Sequence, residues 1–296
     1  MVVTLVTGAS TGIGRACAIH FARRGDRVYA TMRNPAAGAD LAQLATDESI
    51  DLRVVQLDVN DQASVDACMA TVTGESGAVD VLINNAGVGA GGAIEETDLA
   101  EFRDVMETNY FGALRMIKAV VPAMRARRSG AIVNVTSVAG RVVCSPQGAY
   151  AASKYTLEAL SEALAQEMRR FGVRVHIVEP GVVLTPIFAK NMTEPDMSSP
   201  SVDFALRLGD LFMKRLQDPS PPELAAEVID DALSAPEPKL RHVVGWDGDY
   251  LIAGRARVTD EEWVDYGLPL SEAELGALWR EKFHMNPADF TPLPVS

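Results

Sequence analysis

Short runs rich in Val, Ile and Leu recur along the chain at Val2–Val6, Arg27–Thr31, Leu52–Leu57, Val79–Ile83, Ala131–Val135, Arg174–Val178 and Leu240–Val244. Segments with helical spacing lie between most of them. Near-continuous apolar strands that alternate with helices are the pattern of a parallel sheet covered on both faces, because each strand must bury both of its sides. The pattern predicts an α/β, doubly wound Rossmann-type fold with seven strands. A helix follows the first strand through Arg24. Asp98 with Glu101 three residues on reads as a capping-box variant that opens the helix carrying Asn109, and Pro222 suits the first turn of a later helix.

The alternation holds to about Val244. Between Pro186 and Pro221 it gives way to a stretch with Met, Ser and Pro and an amphipathic piece at Phe204–Leu216. That stretch is too long for an ordinary connection and reads as a lid or substrate loop. After Val244 comes a tail holding Trp246, Trp263 and Trp279, with helix expected over Ser271–Lys282. Pattern alone does not place it. The whole, 1–296, reads as one domain with an insertion at 186–221 and a C-terminal extension at 245–296.

Composition narrows the possibilities. At 48% hydrophobic and 23% charged residues the chain can bury a sizeable core, and the net charge of -13 disfavours nucleic acid or an anionic membrane as a partner. Cys17, Cys68 and Cys144 form no CxxC pair and are odd in number, which suits a reducing compartment. His20, His176, His242 and His284 lack metal-ligand spacing, so no metal is expected. No apolar run reaches the ~20 residues of a membrane helix, and a cytoplasmic protein is expected. Asn191-Met192-Thr193 matches a glycosylation sequon and is read as coincidence.

Candidate chemistry gathers at the carboxyl ends of the strands. The first strand runs into Thr7-Gly8-Ala9-Ser10-Thr11-Gly12-Ile13-Gly14. Glycines there let the backbone approach a pyrophosphate, and the helix N-terminus supplies N–H groups and positive dipole. Asp58-Val59 follows the third strand and Asn84-Asn85-Ala86-Gly87 the fourth. Each alone is compatible with turn chemistry, but together they outline a groove at the sheet edge where such folds bind ligands. Ser137 follows the fifth strand, and Tyr150 and Lys154 stand one helical turn apart. A cation near a phenol favours the phenolate, so Lys154 is expected to lower the Tyr150 pKa from about 10. Tyr150 can then exchange a proton with a substrate oxygen that Ser137 holds.

These residues, in this order, resemble the short-chain dehydrogenase/reductase family over about residues 1–245, with Pro180-Gly181 and Thr185 completing the set. The resemblance implies a catalytic tetrad of Asn109, Ser137, Tyr150 and Lys154, with Asn109 holding a water that extends the proton relay. It also implies a nicotinamide cofactor bound by Gly8, Ser10, Thr11, Gly12, Ile13 and Gly14, by Asp58 and Val59 at the adenine, and by Asn85, Ala86 and Gly87. Tyr150, Lys154, Pro180, Gly181, Val183 and Thr185 complete that site at the nicotinamide end. A homodimer or homotetramer is expected. At the end of the second strand, Met32 and Arg33 stand where a carboxylate would select NAD, so NADP(H) is the expected cofactor, with NAD(H) possible. Tyr29 to Asn34, with the long extension past Pro180-Gly181, is similar to the branch of 17β-hydroxysteroid and retinol dehydrogenases.

The expected reaction interconverts a ketone or aldehyde and an alcohol on a bulky apolar substrate. Val138, Val143 and Cys144 form one wall of the expected pocket, Ile187 and Phe188 another. The alternatives are a reductase of small or acyl-type ketones and a non-catalytic NADP(H)-binding sensor. A dehydratase or epimerase is disfavoured by the glycine spacing at the first turn.

Overall fold

A computed structural model describes residues 1–187 and 196–293. Phe188, Met192 and the sequon at Asn191 lie outside the described residues. Among the described residues, seven strands form one parallel sheet in the order β3-β2-β1-β4-β5-β6-β7. They are β1 (Val3–Val6), β2 (Arg27–Met32), β3 (Leu52–Gln56), β4 (Val81–Asn84), β5 (Gly130–Val135), β6 (Val173–Pro180) and β7 (Arg241–Val244). Each lies within two residues of its expected bounds. The strand order reverses between β1 and β4, and a crevice opens there at the carboxyl edge.

Successive side chains of a strand face opposite ways, so two cores form. Val6 and Val133 pack with Phe21 of α1 (Gly12–Arg23) and Ile229 of α8 (Pro222–Ser234), while Leu5 and Ile132 face the other layer. That layer consists of α3 (Gln62–Ser76), α5 (Ala113–Arg127) and α6 (Gly148–Arg169), with Met116, Met124 and Leu164 buried against the sheet. The remaining outer helix, α2 (Ala39–Glu48), inserts Leu41 beneath β2.

Asp98 precedes α4 (Leu99–Met106) as expected, but its carboxylate makes no capping bond; Glu101 N–H donates to its backbone carbonyl instead. Between α4 and α5 the helix widens into a π turn over Glu107–Gly112, the segment that carries Asn109. Such turns redirect backbone groups inside an otherwise regular helix.

The amphipathic stretch forms α7 (Val202–Arg215), and the tail folds into α9 (Trp246–Arg255), α10 (Asp260–Asp265) and α11 (Glu272–Glu281). Both α10 and α11 open on a full capping box, Thr259 with Glu262 and Ser271 with Glu274. The tail packs on α7 as well as beside β7: Leu211 and Phe212 of α7 pack with Val258, Trp279, Phe283 and Phe290 in a separate small core, while Gly248 lies against Val243.

Candidate active site

One cavity of about 910 Å³ runs along the carboxyl edge of the sheet, from the first turn to α7. Its floor at the β1/β4 switch is a locked pair of turns. Thr7 Oγ1 accepts from the amides of Asn85 and Ala86 at 2.9 and 3.0 Å, and Asn85 Nδ2 donates to the carbonyls of Thr7 and Gly8 at 3.0 and 3.1 Å. A methyl on Gly8, at φ 67°, would lie 2.8 Å from Ala86 Cα, and one on Gly14 would lie 2.4 Å from Asn85 Nδ2. Glycine is required at both, which leaves bare backbone beneath the N-terminus of α1. Gly8, Ser10, Thr11, Gly12 and Ile13 line the cavity; Gly14 stands behind them.

Met32, Arg33, Asp58, Val59, Asn85, Ala86 and Gly87 line it further along. Asn84 does not: it is buried in the sheet and donates to Asn134 Oδ1 at 2.9 Å. Met32 is buried while Arg33 is exposed at the rim. Asp58 holds its own turn by accepting from Asn60 N–H at 3.0 Å. On the opposite side Pro180 ends β6 and Gly181, Val183 and Thr185 follow it, and a methyl on Gly12 would meet Thr185 Cγ2 at 3.0 Å. The first glycine turn and the end of this loop therefore lie against each other.

Ser137, Tyr150 and Lys154 converge on the cavity between these two ends. Ser137 Oγ accepts from Ala139 N–H at 3.1 Å, which fixes its rotamer at the start of a short 3₁₀ turn. Lys154 is buried and donates to Val135 O at 3.1 Å, and its ammonium lies 5.7 Å from the centre of the Tyr150 ring. Burial pushes the Lys154 ammonium down to about 8, with Glu158 on the next helical turn pulling it up. Burial pushes the Tyr150 phenol above its ordinary value, and a hydrogen bond with Ser137 pulls it down. Against the expected lowering of Tyr150 by Lys154, desolvation is the larger effect on the phenol, and the ammonium lies over its ring.

Asn109 is buried and does not line the cavity. Its Oδ1 accepts from Val88 N–H at 2.8 Å, and its Nδ2 donates to Val88 O and Ser153 Oγ at 2.9 Å each. The side chain clamps the loop after Gly87 to α6.

Val138 and Cys144 line the cavity, but Val143 turns outward with 41% exposure, its carbonyl accepting from Trp263 Nε1 at 3.1 Å. Val142 takes the expected place. From the lid, Ile187, Leu206, Leu208, Leu211 and Phe212 face the cavity, whereas Met197 and Met213 are solvent-facing. Polar groups share the lid end: Ser199 donates to Glu96, and Asp196 and Asp210 also line it. Two further residues escaped sequence reasoning. Glu158 was readable from its spacing to Lys154; Asp247, which reaches the cavity from the tail, carries no local signal.

Comparison with known proteins places this geometry. The family profile described as short chain dehydrogenase matches residues 2–196. Retinol dehydrogenase 8 of Bos taurus is 38% identical over 259 residues, covering 80% of this chain and 79% of that protein. 17-Beta-hydroxysteroid dehydrogenase type 1 of Mus musculus is 35% identical over 277 residues, 89% of this chain and 79% of that one. A short-chain dehydrogenase from Streptomyces avermitilis superposes with a TM-score of 0.76 at 38% identity, over 90% of this chain and 97% of that one. An actinorhodin polyketide ketoreductase variant solved with NADPH superposes with a TM-score of 0.72 at 30% identity, over 82% and 95%. The chain belongs to the short-chain dehydrogenase family and is one of its oxidoreductases, in the branch similar to the retinol and steroid dehydrogenases.

Proposed function

We propose that the chain reduces a bulky apolar ketone or oxidises the corresponding alcohol, using NADP(H). The observation that carries this reading is the convergence of Ser137, Tyr150 and Lys154 on a cavity that Leu206, Leu208, Leu211 and Phe212 close from the lid. The residues fit a dinucleotide: Gly8 and Gly12 sit at positive φ, Gly14 leaves no room for a side chain, and bare backbone amides of α1 face the cavity. Arg33 stands at the rim, suited to a 2′-phosphate. The ketoreductase neighbour solved with NADPH agrees with that preference.

When bound, the nicotinamide supplies or accepts a hydride. The chain does the rest. Ser137 holds the substrate oxygen, and Tyr150, whose raised pKa keeps it protonated, donates a proton to that oxygen during reduction. Lys154 places a positive charge behind the ring and favours the phenolate left after transfer. The apolar lid excludes water from the reacting atoms and selects bulk. The retinol and steroid dehydrogenase relatives, named for apolar substrates, support the substrate class.

The test is steady-state oxidation of NADPH against a ketone panel. Higher kcat/KM on small polar ketones or sugars than on decalone-like or steroid ketones overturns the apolar reading, and no turnover on any carbonyl favours a sensor. Among the described residues no helix is long and apolar enough to cross a membrane. Cytoplasmic location and assembly into dimers or tetramers remain part of the proposal. The three free cysteines support the first, and light scattering tests the second.

A further inference from the structure

One side chain of the tail explains two glycines. A methyl on Gly181 would lie 2.5 Å from Asp247 Oδ2, and one on Gly245, at φ 87°, would lie 2.7 Å from Asp247 Oδ1. Asp247, in the first turn of α9, is 1% exposed, and its Oδ2 accepts the amide of Val182 at 2.7 Å. Elsewhere the stretch from Gly181 to Leu184 is held by backbone hydrogen bonds and by the burial of Val182 and Val183. Gly181 N–H donates to Val244 O at 2.9 Å, Ser220 N–H donates to Val182 O at 3.2 Å, and Leu184 N–H donates to Ser220 O at 2.9 Å. The Asp247 carboxylate adds a side-chain hydrogen bond to this loop, where the chain turns toward Val183 and Thr185.

The same carboxylate meets the lid. Arg215, the last residue of α7, is 2% exposed, with its Nη2 3.8 Å from Asp247 Oδ1 and its guanidinium 4.2 Å from the centre of the Trp246 ring. That spacing is an ion pair without a hydrogen bond, and Asp247 Oδ1, Arg215 Nε and Arg215 Nη2 have no hydrogen-bond partner among the described residues. Opposite charges so buried attract strongly, and removing one leaves the other uncompensated. A displacement of α7 therefore bears on Asp247 and through it on Val182.

We propose that Asp247 is a positioning residue for the loop from Gly181 to Thr185, and that Arg215 couples the lid helix to it, so that the C-terminal extension sets affinity at the nicotinamide end of the cofactor. The proposal rests on the reading of this loop as part of the nicotinamide end of the cofactor site. Asp247 meets Gly181, Val182 and Arg215, all at the β6 end of the groove, so its loss should be felt at one end of the dinucleotide.

The experiment is calorimetric titration of the full chain with NADP⁺ and, separately, with 2′-phospho-ADP-ribose, which lacks the nicotinamide. Wild type binding neither overturns the cofactor reading and this inference with it. Given wild-type binding, Asp247→Ala is expected to raise the Kd for NADP⁺ by about tenfold or more, the scale of a lost hydrogen bond to a charged acceptor, with the fragment changed by less than about twofold. Asp247→Asn keeps an acceptor for Val182 and should recover most of the loss. Arg215→Met should weaken NADP⁺ selectively and add nothing in the Asp247→Asn background. Equal losses for both ligands, or none for NADP⁺, overturn the positioning role, and additive effects overturn the coupling. Should Asp247→Ala fail to fold, Gly181→Ala pushes the loop off the carboxylate and must show the same selective loss, equal loss or none again overturning the role.

Discussion

The Lys154 ammonium stands 5.7 Å from the centre of the Tyr150 ring and donates to Val135 O at 3.1 Å, so the strand end holds the cation against the face of the phenol. Lys154 therefore depends on burial for its position and on Glu158 for part of its charge.

Tyr150→Phe is expected to lower turnover by at least about a hundredfold, the usual share of a general acid, while leaving the Kd for NADPH within about twofold. Single-turnover kinetics beside fluorescence titration separates the two. Residual turnover within tenfold of wild type would remove Tyr150 from its role.

The pH profile for reduction follows from the two shifts. Lys154 loses its proton as pH rises through about 8, while Tyr150, pushed above its ordinary value, stays protonated over the same range. The kcat/KM for ketone reduction should be full below pH 8 and fall above it, and Lys154→Arg, which keeps its charge, should abolish that alkaline limb. A limb that persists in Lys154→Arg assigns it elsewhere.

At the other end of the groove, Arg33→Ala should lower kcat/KM with NADPH by roughly tenfold to a hundredfold, the scale of charge-assisted hydrogen bonds, and leave NADH within about twofold. Wild type equally efficient with NADH would show that Arg33 does not read the phosphate.

His176 is fully buried in β6, 3.2 Å from His242 across the ring nitrogens, and burial pushes it down to about 4. The unfolded chain thus binds the proton more readily below the ordinary histidine value of about 6.5, and stability drains as pH falls from there to about 4. Chemical denaturation should show His176→Gln losing less stability than wild type over this window, by about 3 kcal/mol at most. Parallel losses in the two proteins would count against it.

For the lid, Leu208→Ala should raise KM for a bulky ketone by about tenfold, as expected when a hydrophobic contact is removed, and Met213→Ala, which points to solvent, should not. Equal responses would mean that Leu208 does not contact substrate.

The sheet and the tight turn after β1 were legible because parallel strands must be apolar on both faces and because glycines mark close backbone approach. Tyr150 and Lys154 were legible as a helical pair. What burial does to them was not, since desolvation depends on packing from distant segments. Val142 and Val143 exchanged places for a similar reason: a two-residue choice in a loop is made by Trp263, 120 residues away. The tail was opaque because its apolar residues complement α7, and no local period records a partner of that kind.

That shared core has a consequence for how substrate preference could diversify. Leu211 and Phe212 serve the cavity and also pack with the tail cluster of Trp279 and Phe283, whose rings lie 4.6 Å apart, while Gly254 leaves the space that Phe283 fills. Exchanging the lid alone for that of a relative would leave half of this cluster facing water or overfilled. The helix α7 and the tail, though separate in sequence, share one core, and a chimera that exchanges one must carry both.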